Sequence, residues 1–185
     1  MKKKSGDSKV LGVVGSPRAG GNTDALVEQV LEGATAAGAQ VEKVMLNDFD
    51  IRSCKGCWAC HKQGHCVQDD DLPELVEKLV ESRVWVLGTP IYWWGPSAQL
   101  KAFLDRWVSL QQSAFTGKRI ILTIPMGGGS ESYARHTTGM FRDICNYLGI
   151  DLQSVVLAPG VSKKGEVRHN DEIMKLAYQA GFQSI

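Results

Sequence analysis

The alternation of strand-like and helix-like segments most constrains how this chain folds. Five short apolar runs, each suited to a strand buried on both faces of a sheet, alternate with segments of helical periodicity. The predicted strands are Val10–Val14, Val41–Leu46, Val84–Leu87, Arg119–Ile124 and Leu152–Leu157. The predicted helices are Thr23–Ala37, Leu72–Glu81, Ser97–Leu110, Ser130–Leu148 and Asp171–Ala180. This pattern predicts an α/β protein: a doubly wound five-stranded parallel sheet of order 2-1-3-4-5 between two helical layers (α/β/α).

Length and composition limit the possible classes of protein. The 185 residues suit one domain, and we expect it to span residues 10–185 behind a disordered terminus at residues 1–9. The net charge of +1 argues against nucleic acid as the main partner. No apolar run approaches the ~20 residues of a membrane span, and no signal-peptide pattern is present, which predicts a cytoplasmic protein without membrane contact.

The segment Val10–Asp24 suggests a phosphate site, because a strand, a small polar loop and a helix start follow one another. Such a turn aims backbone N–H groups and the positive end of a helix dipole at one point. The candidate phosphate-binding residues are Ser16, Arg18, Gly21, Asn22 and Thr23. Neither the P-loop nor the dinucleotide fingerprint matches, because no Lys precedes Thr23 and because Gly12 and Gly15 are three apart.

The order 2-1-3-4-5 places a ligand on the loops that follow strands one, three and four. The loop after strand three carries three adjacent aromatics, which suit a wall for a flat ring, a hydrophobic plug or an oligomer contact. The loop after strand four carries consecutive glycines, which let the backbone approach a ligand closely. The candidate residues of these loops are Pro90, Ile91, Tyr92, Trp93, Trp94, Met126, Gly127 and Gly128.

Three stretches carry a family resemblance. The loop Gly15–Thr23 resembles the FMN-phosphate loop of the NADPH-dependent FMN reductase and iron–sulfur flavoprotein family, which has the flavodoxin-like fold. The stretches Pro90–Trp94 and Lys101–Arg106 are similar to the same family. The resemblance covers Val10–Leu157 and implies FMN as cofactor, with the glycine loop at the pyrimidine edge of the ring. It also implies NAD(P)H as electron donor and small molecules or a ferredoxin as redox partners.

Four of the five cysteines lie in one segment: Cys54, Cys57, Cys60 and Cys66. Zinc sites usually use two separated C-x-x-C knuckles, whereas three cysteines at successive spacings of three match the wrapping of a cubane iron–sulfur cluster. The segment resembles the compact cysteine motif of the iron–sulfur flavoproteins, and the resemblance implies these four residues as ligands of a [4Fe–4S] cluster. Cluster-free relatives keep a similar loop with fewer cysteines, so that alternative stays open. We expect Cys145 to be a core residue.

Three functions therefore remain open. The chain is an electron-transfer iron–sulfur flavoprotein, an NAD(P)H-dependent FMN or quinone reductase without a cluster, or a non-enzymatic binding module with a zinc loop. No acid–base residue is predicted, because His136 and His169 have no recognisable partners and flavin chemistry asks the protein mainly for positioning.

Two further expectations concern the surroundings of the flavin. The cysteine segment follows strand two, which predicts that it lies on the same rim as the FMN loops. The exposed-looking aromatics and an apolar helix face predict a homodimer or homotetramer with its interface near the flavin. The residues concerned are Trp93, Trp94, Leu100, Phe103, Leu104 and Trp107.

Overall fold

A computed structural model describes residues 8–185. Residues 1–7, which hold most of the predicted disordered terminus, lie outside the described residues, and β1 begins at Lys9. The strands are β1 (Lys9–Val14), β2 (Gln40–Met45), β3 (Val84–Gly88), β4 (Arg119–Pro125) and β5 (Asp151–Ala158). The helices are α1 (Asn22–Ala36), α2 (Ala59–Gln63), α3 (Leu72–Glu81), α4 (Ala98–Asp105), α5 (Arg135–Leu148) and α6 (Asp171–Phe182).

The five strands form one parallel sheet of order β2-β1-β3-β4-β5, which confirms the predicted fold. The central strand β3 is buried along its whole length, as expected where helices cover both faces. The helices α1 and α6 cover one face, and α3, α4 and α5 cover the other. All strands share one direction, so the loops after β1, β3 and β4 emerge at one rim.

The helices α1 and α6 pack unusually close. A Cβ atom at Gly181 would overlap the Val30 carbonyl, and one at Gly33 would overlap the Tyr178 carbonyl. Glycine at these two positions therefore allows the backbones of the two helices to meet. In the described part of the chain, no helix has the length and apolar character needed to cross a membrane.

The third predicted helix, Ser97–Leu110, differs from the prediction both in its conformation and in the surface that its apolar face packs against. It runs as α4 and then tightens into a 3-10 turn, Arg106–Ser109. The apolar face of this helix is not exposed, because its residues are buried inside the protomer: Leu100, Phe103, Leu104 and Trp107. The Trp107 ring packs edge-on against Trp85 of β3, with centroids 5.4 Å apart. The expectation that this face reaches a subunit interface is therefore wrong; an amphipathic pattern does not say which surface covers it.

Candidate cofactor sites

The amino end of α1 forms a cradle of free donors. Its N-cap is Gly21, which provides no side-chain cap, and the first cap bond runs from the Ala25 N–H to the Gly21 carbonyl at 2.9 Å. The side chain of Asp24 does not compete for the cradle, because it accepts from the Gly20 N–H and from Lys43 Nζ, each at 2.7 Å. The helix N-terminus therefore keeps backbone N–H groups and a positive dipole for an anion.

Side chains around the cradle add polarity. Arg18 is exposed, and its guanidinium makes no hydrogen bond or ion pair within residues 8–185. Asn22 fixes the neighbouring segment, because its Nδ2 donates to the Lys163 carbonyl at 2.9 Å and its Oδ1 accepts from the Val167 N–H at 3.1 Å. An exposed cation and a rigid polar rim suit a phosphate group.

A cavity of about 200 Å³ joins the cradle to the other rim loops. Ten of the thirteen predicted cofactor-binding residues line it: Ser16, Arg18, Gly21, Asn22, Thr23, Pro90, Ile91, Tyr92, Met126 and Gly127. The sequence reasoning missed four others: Pro125, Val161, Ser162 and Lys164. Pro125 ends β4, whereas the other three form a segment after β5, which is tied to the rim by a bond from the Val161 N–H to the Met126 carbonyl at 3.0 Å. The position of this segment after a rim strand is the signal that could have identified it.

The two adjacent tryptophans and Gly128 do not line this cavity. Trp93 and Trp94 form a tight turn with φ of 49° and 62°, closed by paired backbone bonds between Tyr92 and Gly95. This turn leaves Trp93 92% exposed and stacks Trp94 on Tyr133, with centroids 6.2 Å apart. Positive φ is rare for bulky residues. The predicted aromatic wall is therefore reduced to Tyr92 at the cavity, and Gly128 faces the Tyr133 ring.

The four clustered cysteines line a second cavity, of about 330 Å³. Two residues between them, Gly56 at φ 62° and Trp58 at φ 59°, adopt the left-handed conformation, and α2 starts directly afterwards. These turns wrap the chain so that Cys54, Cys57, Cys60 and Cys66 share one concave surface. The segment is therefore a folded loop with a short helix, although its sequence shows no periodicity.

Arg106, which lines the cysteine cavity, belongs to a buried ion pair. The Arg106 side chain is 1% exposed and contacts the fully buried side chain of Asp70, with Nη1 2.6 Å from Oδ2. Arg106 Nη2 also donates to Cys66 Sγ at 3.1 Å, and Nη1 donates to the Arg52 carbonyl at 2.7 Å. Burial works to raise the pKa of Asp70, but the hydrogen bonds from Arg106 and from two backbone N–H groups outweigh it and hold that pKa below its usual value.

The cysteine cavity does not lie on the rim that holds the phosphate cradle. Ser97, at the start of α4, donates its hydroxyl to the Gly15 carbonyl, whereas residues at and beyond the other end line the cysteine cavity: Asp105, Arg106, Val108 and Ser109. The nine residue steps from Ser97 to Arg106 span roughly 13 Å at the rise of an α-helix. The expectation of a shared rim is wrong, because the chain after β2 carries the cysteine segment back along α4.

The cysteines are not arranged for a single ion. Within residues 8–185, no three His, Cys, Asp or Glu side chains converge on a point that could hold one metal ion. A cubane cluster binds each thiolate at a different iron, so its ligands surround a volume instead of meeting at a point. Arg106 Nε is a buried donor without a partner in the described residues, which is compatible with an anionic group bound in this cavity. The fifth cysteine, Cys145, lies in the core, and burial raises the pKa of its thiol to about 11.

The parallel sheet of order 2-1-3-4-5 and the phosphate cradle at its switch point define a flavodoxin-like protein with a nucleotide site. Residues 8–161 match the NADPH-dependent FMN reductase family, and the chain belongs to that family. It is a flavin-dependent oxidoreductase with FMN as cofactor, which rules out the non-enzymatic alternative.

Particular relatives sharpen the comparison. An iron–sulfur flavoprotein from Archaeoglobus fulgidus is 33% identical over 180 residues, which cover 94% of this chain and 77% of that protein. One from Methanocaldococcus jannaschii is 34% identical over 137 residues, or 72% and 71% of the two chains. The solved NAD(P)H:quinone oxidoreductase from Methanothermobacter marburgensis shares the fold, with a TM-score of 0.70 at 18% identity over 95% of this chain and 94% of its own.

Proposed function

We propose that the chain is an iron–sulfur flavoprotein, which moves electrons between FMN, a [4Fe–4S] cluster and small acceptors, with NAD(P)H as donor and a ferredoxin as protein partner. One observation carries the proposal: four cysteines line one cavity in a chain of the FMN reductase family. FMN exchanges one or two electrons and a cubane cluster exchanges one, so the two groups together can split a hydride pair into single electrons.

The residues of the rim cavity would hold FMN. In this proposal Arg18, Lys164 and the free N–H groups of α1 bind the phosphate. Ile91 and Tyr92 pack against the ring, and the backbone around Gly127 meets its edge. Gly127 suits this approach because a Cβ there would already lie 2.9 Å from Ser162 Oγ, so a side chain would crowd the loops that shape the site.

The residues of the cysteine cavity would hold the cluster. Cys54, Cys57, Cys60 and Cys66 are the proposed ligands, one for each iron. Val67 and Val108 line the same cavity and would limit the access of water. The relatives from Archaeoglobus fulgidus and Methanocaldococcus jannaschii support the assignment by their names.

The proposed domain organisation is a single FMN-binding domain with one inserted cysteine-rich loop. Residues 10–185 act as one FMN-binding domain with a cysteine-rich loop at 54–66, in the cytoplasm. The alternative is an NAD(P)H-dependent FMN or quinone reductase whose cysteine loop holds no cluster. The family match supports both, so the cysteine loop has to decide between them.

Absorption spectroscopy of anaerobically purified protein tests the proposal. We expect flavin bands above a broad iron–sulfur absorption, and both should bleach when NADH or NADPH is added. Flavin bands that bleach without any iron–sulfur absorption would instead support the cluster-free reductase. Full bleaching of the flavin with an unchanged iron–sulfur absorption would contradict electron transfer between the two groups.

A further inference from the structure

Arg106 stands out because its burial is costly and its contacts are directed. Its side chain is 1% exposed, the side chain of its partner Asp70 is fully buried, and the two are 36 residues apart in the chain. Burying an ion pair removes two charges from water, and the attraction between them often fails to repay that loss. A purely structural role is therefore a weak explanation for this pair.

The pair is oriented toward one proposed cluster ligand. Arg106 Nη2 donates to Cys66 Sγ at 3.1 Å, while Asp70 accepts from both terminal nitrogens of the guanidinium, at 2.6 and 3.2 Å. Cys54 Sγ, in contrast, receives only the uncharged Gly56 N–H at 3.4 Å. Among the described residues, Arg106 is the only charged group that donates a hydrogen bond to a cysteine sulfur.

Such a contact has an electrostatic consequence at a cluster. Reduction adds one electron, and therefore one negative charge, to four thiolates and their irons in a partly buried site. Hydrogen bonds to the sulfurs and the net charge nearby set the reduction potential of iron–sulfur clusters. A cation donating to one sulfur stabilises the reduced form more than the oxidised form, and low solvent access strengthens the effect.

We propose that Arg106 is a positioning residue that fixes Cys66 and raises the reduction potential of the cluster, with Asp70 as the counter-charge that limits the rise. The inference rests on the proposed function, because it requires the cluster. It adds a division of roles: the four cysteines hold the iron, and this pair sets how readily the iron accepts an electron.

Two variants that should shift the midpoint potential of the cluster in opposite directions test this role of Arg106. Replacing Asp70 by Asn keeps the contact of Arg106 with Cys66 but removes the counter-charge, so the midpoint potential should rise. The double variant Arg106→Gln with Asp70→Asn removes both charges without leaving an unpaired buried ion, so the potential should fall. We expect a change of about tenfold in the reduction equilibrium, which is about 59 mV for a one-electron couple. The measurement is a dithionite titration followed by electron paramagnetic resonance, after iron and sulfide have been quantified.

The control is Lys175→Gln, which removes an exposed cation from α6, on the face of the sheet opposite the helix α4. Its potential should match that of the wild type, because solvent screens exposed charges. Full iron content with an unchanged potential in Asp70→Asn, or a shift in Lys175→Gln as large as in the double variant, would overturn this inference alone. If the double variant loses its iron, the midpoint potential of Asp70→Asn decides: a rise supports the proposal, and a fall overturns it. Wild-type protein without iron would overturn the proposed function as well, so iron content separates the two failures.

Discussion

At the scale of single residues, Arg18 is a side-chain cation proposed to bind the FMN phosphate at the amino end of α1. Its guanidinium is exposed beside the free N-terminus of α1, and it makes no ion pair within the described residues. We predict that Arg18→Ala weakens FMN binding by on the order of 1.5–3 kcal/mol, about ten- to a hundredfold in affinity, because a charge-assisted contact is lost. We expect Thr23→Ala, within the cradle, also to weaken binding. Fluorescence titration of the apoprotein measures both.

The control for the cradle variants is Arg142→Ala, which removes an exposed arginine from α5. FMN affinity in this variant should equal that of the wild type. The assignment of the cradle fails if Arg18→Ala and Thr23→Ala also bind FMN with wild-type affinity.

A second residue-scale prediction concerns acid stability. Arg106 holds the pKa of Asp70 below its usual value in the folded protein despite burial, so folding favours the ionised over the protonated carboxyl. This contribution to stability is fully present above the unfolded pKa of about 3.9. That stability is lost as the pH falls through the folded pKa. Asp70→Asn should therefore cost roughly 3–5 kcal/mol of unfolding free energy at pH 7, with the gap to wild type closing below about pH 4. Urea unfolding across this range measures it, and a gap that stays constant with pH would contradict the assignment.

At the scale of elements, α1 is coupled to the segment that follows β5. Asn22 makes two hydrogen bonds to this segment, to the Lys163 carbonyl and from the Val167 N–H. We predict that Asn22→Ala lowers the free energy of unfolding by about 1–3 kcal/mol, because a partly buried backbone N–H loses its acceptor. Thermal unfolding measures the effect. Asn47→Ala, at an exposed asparagine, is the control and should change little; equal stability of the two variants would count against the coupling.

The elements also show what the sequence could and could not predict. Apolar runs and helix-start residues carry local information, which is why the sheet order and most of the rim cavity were predictable. The pair of Arg106 and Asp70 was not, because a contact between residues 36 apart leaves no local pattern. Trp93 faces outward because its φ is positive, a conformation that bulky residues rarely adopt. Residue propensities therefore could not predict this turn.

At the scale of the whole molecule, the exposed aromatics bear on assembly. Trp93 is 92% exposed on a turn with two left-handed residues, a conformation that costs free energy and often marks a functional site. We predict a homodimer or homotetramer with Trp93 at the interface, where assembly can bring the flavin of one subunit toward the cysteine cavity of another. Light scattering at micromolar concentration should show an oligomer for the wild type and a smaller species for Trp93→Asp.

The matched control for assembly is Tyr147→Asp, because Tyr147 is 88% exposed and lies in the last turn of α5, outside the rim loops. This variant should keep the oligomeric state of the wild type. A monomeric wild type, or dissociation caused equally by both substitutions, would contradict the predicted interface.

The central claim for the whole molecule is that the cysteine cavity holds a cluster. The most direct measurement is the iron and acid-labile sulfide content of anaerobically reconstituted protein, compared with single Cys→Ser variants at positions 54, 57, 60, 66 and 145. We expect four irons per wild-type chain, with depletion in each of the first four variants while FMN stays bound, and wild-type iron in Cys145→Ser. A wild type without iron, or full iron in Cys66→Ser, would contradict it.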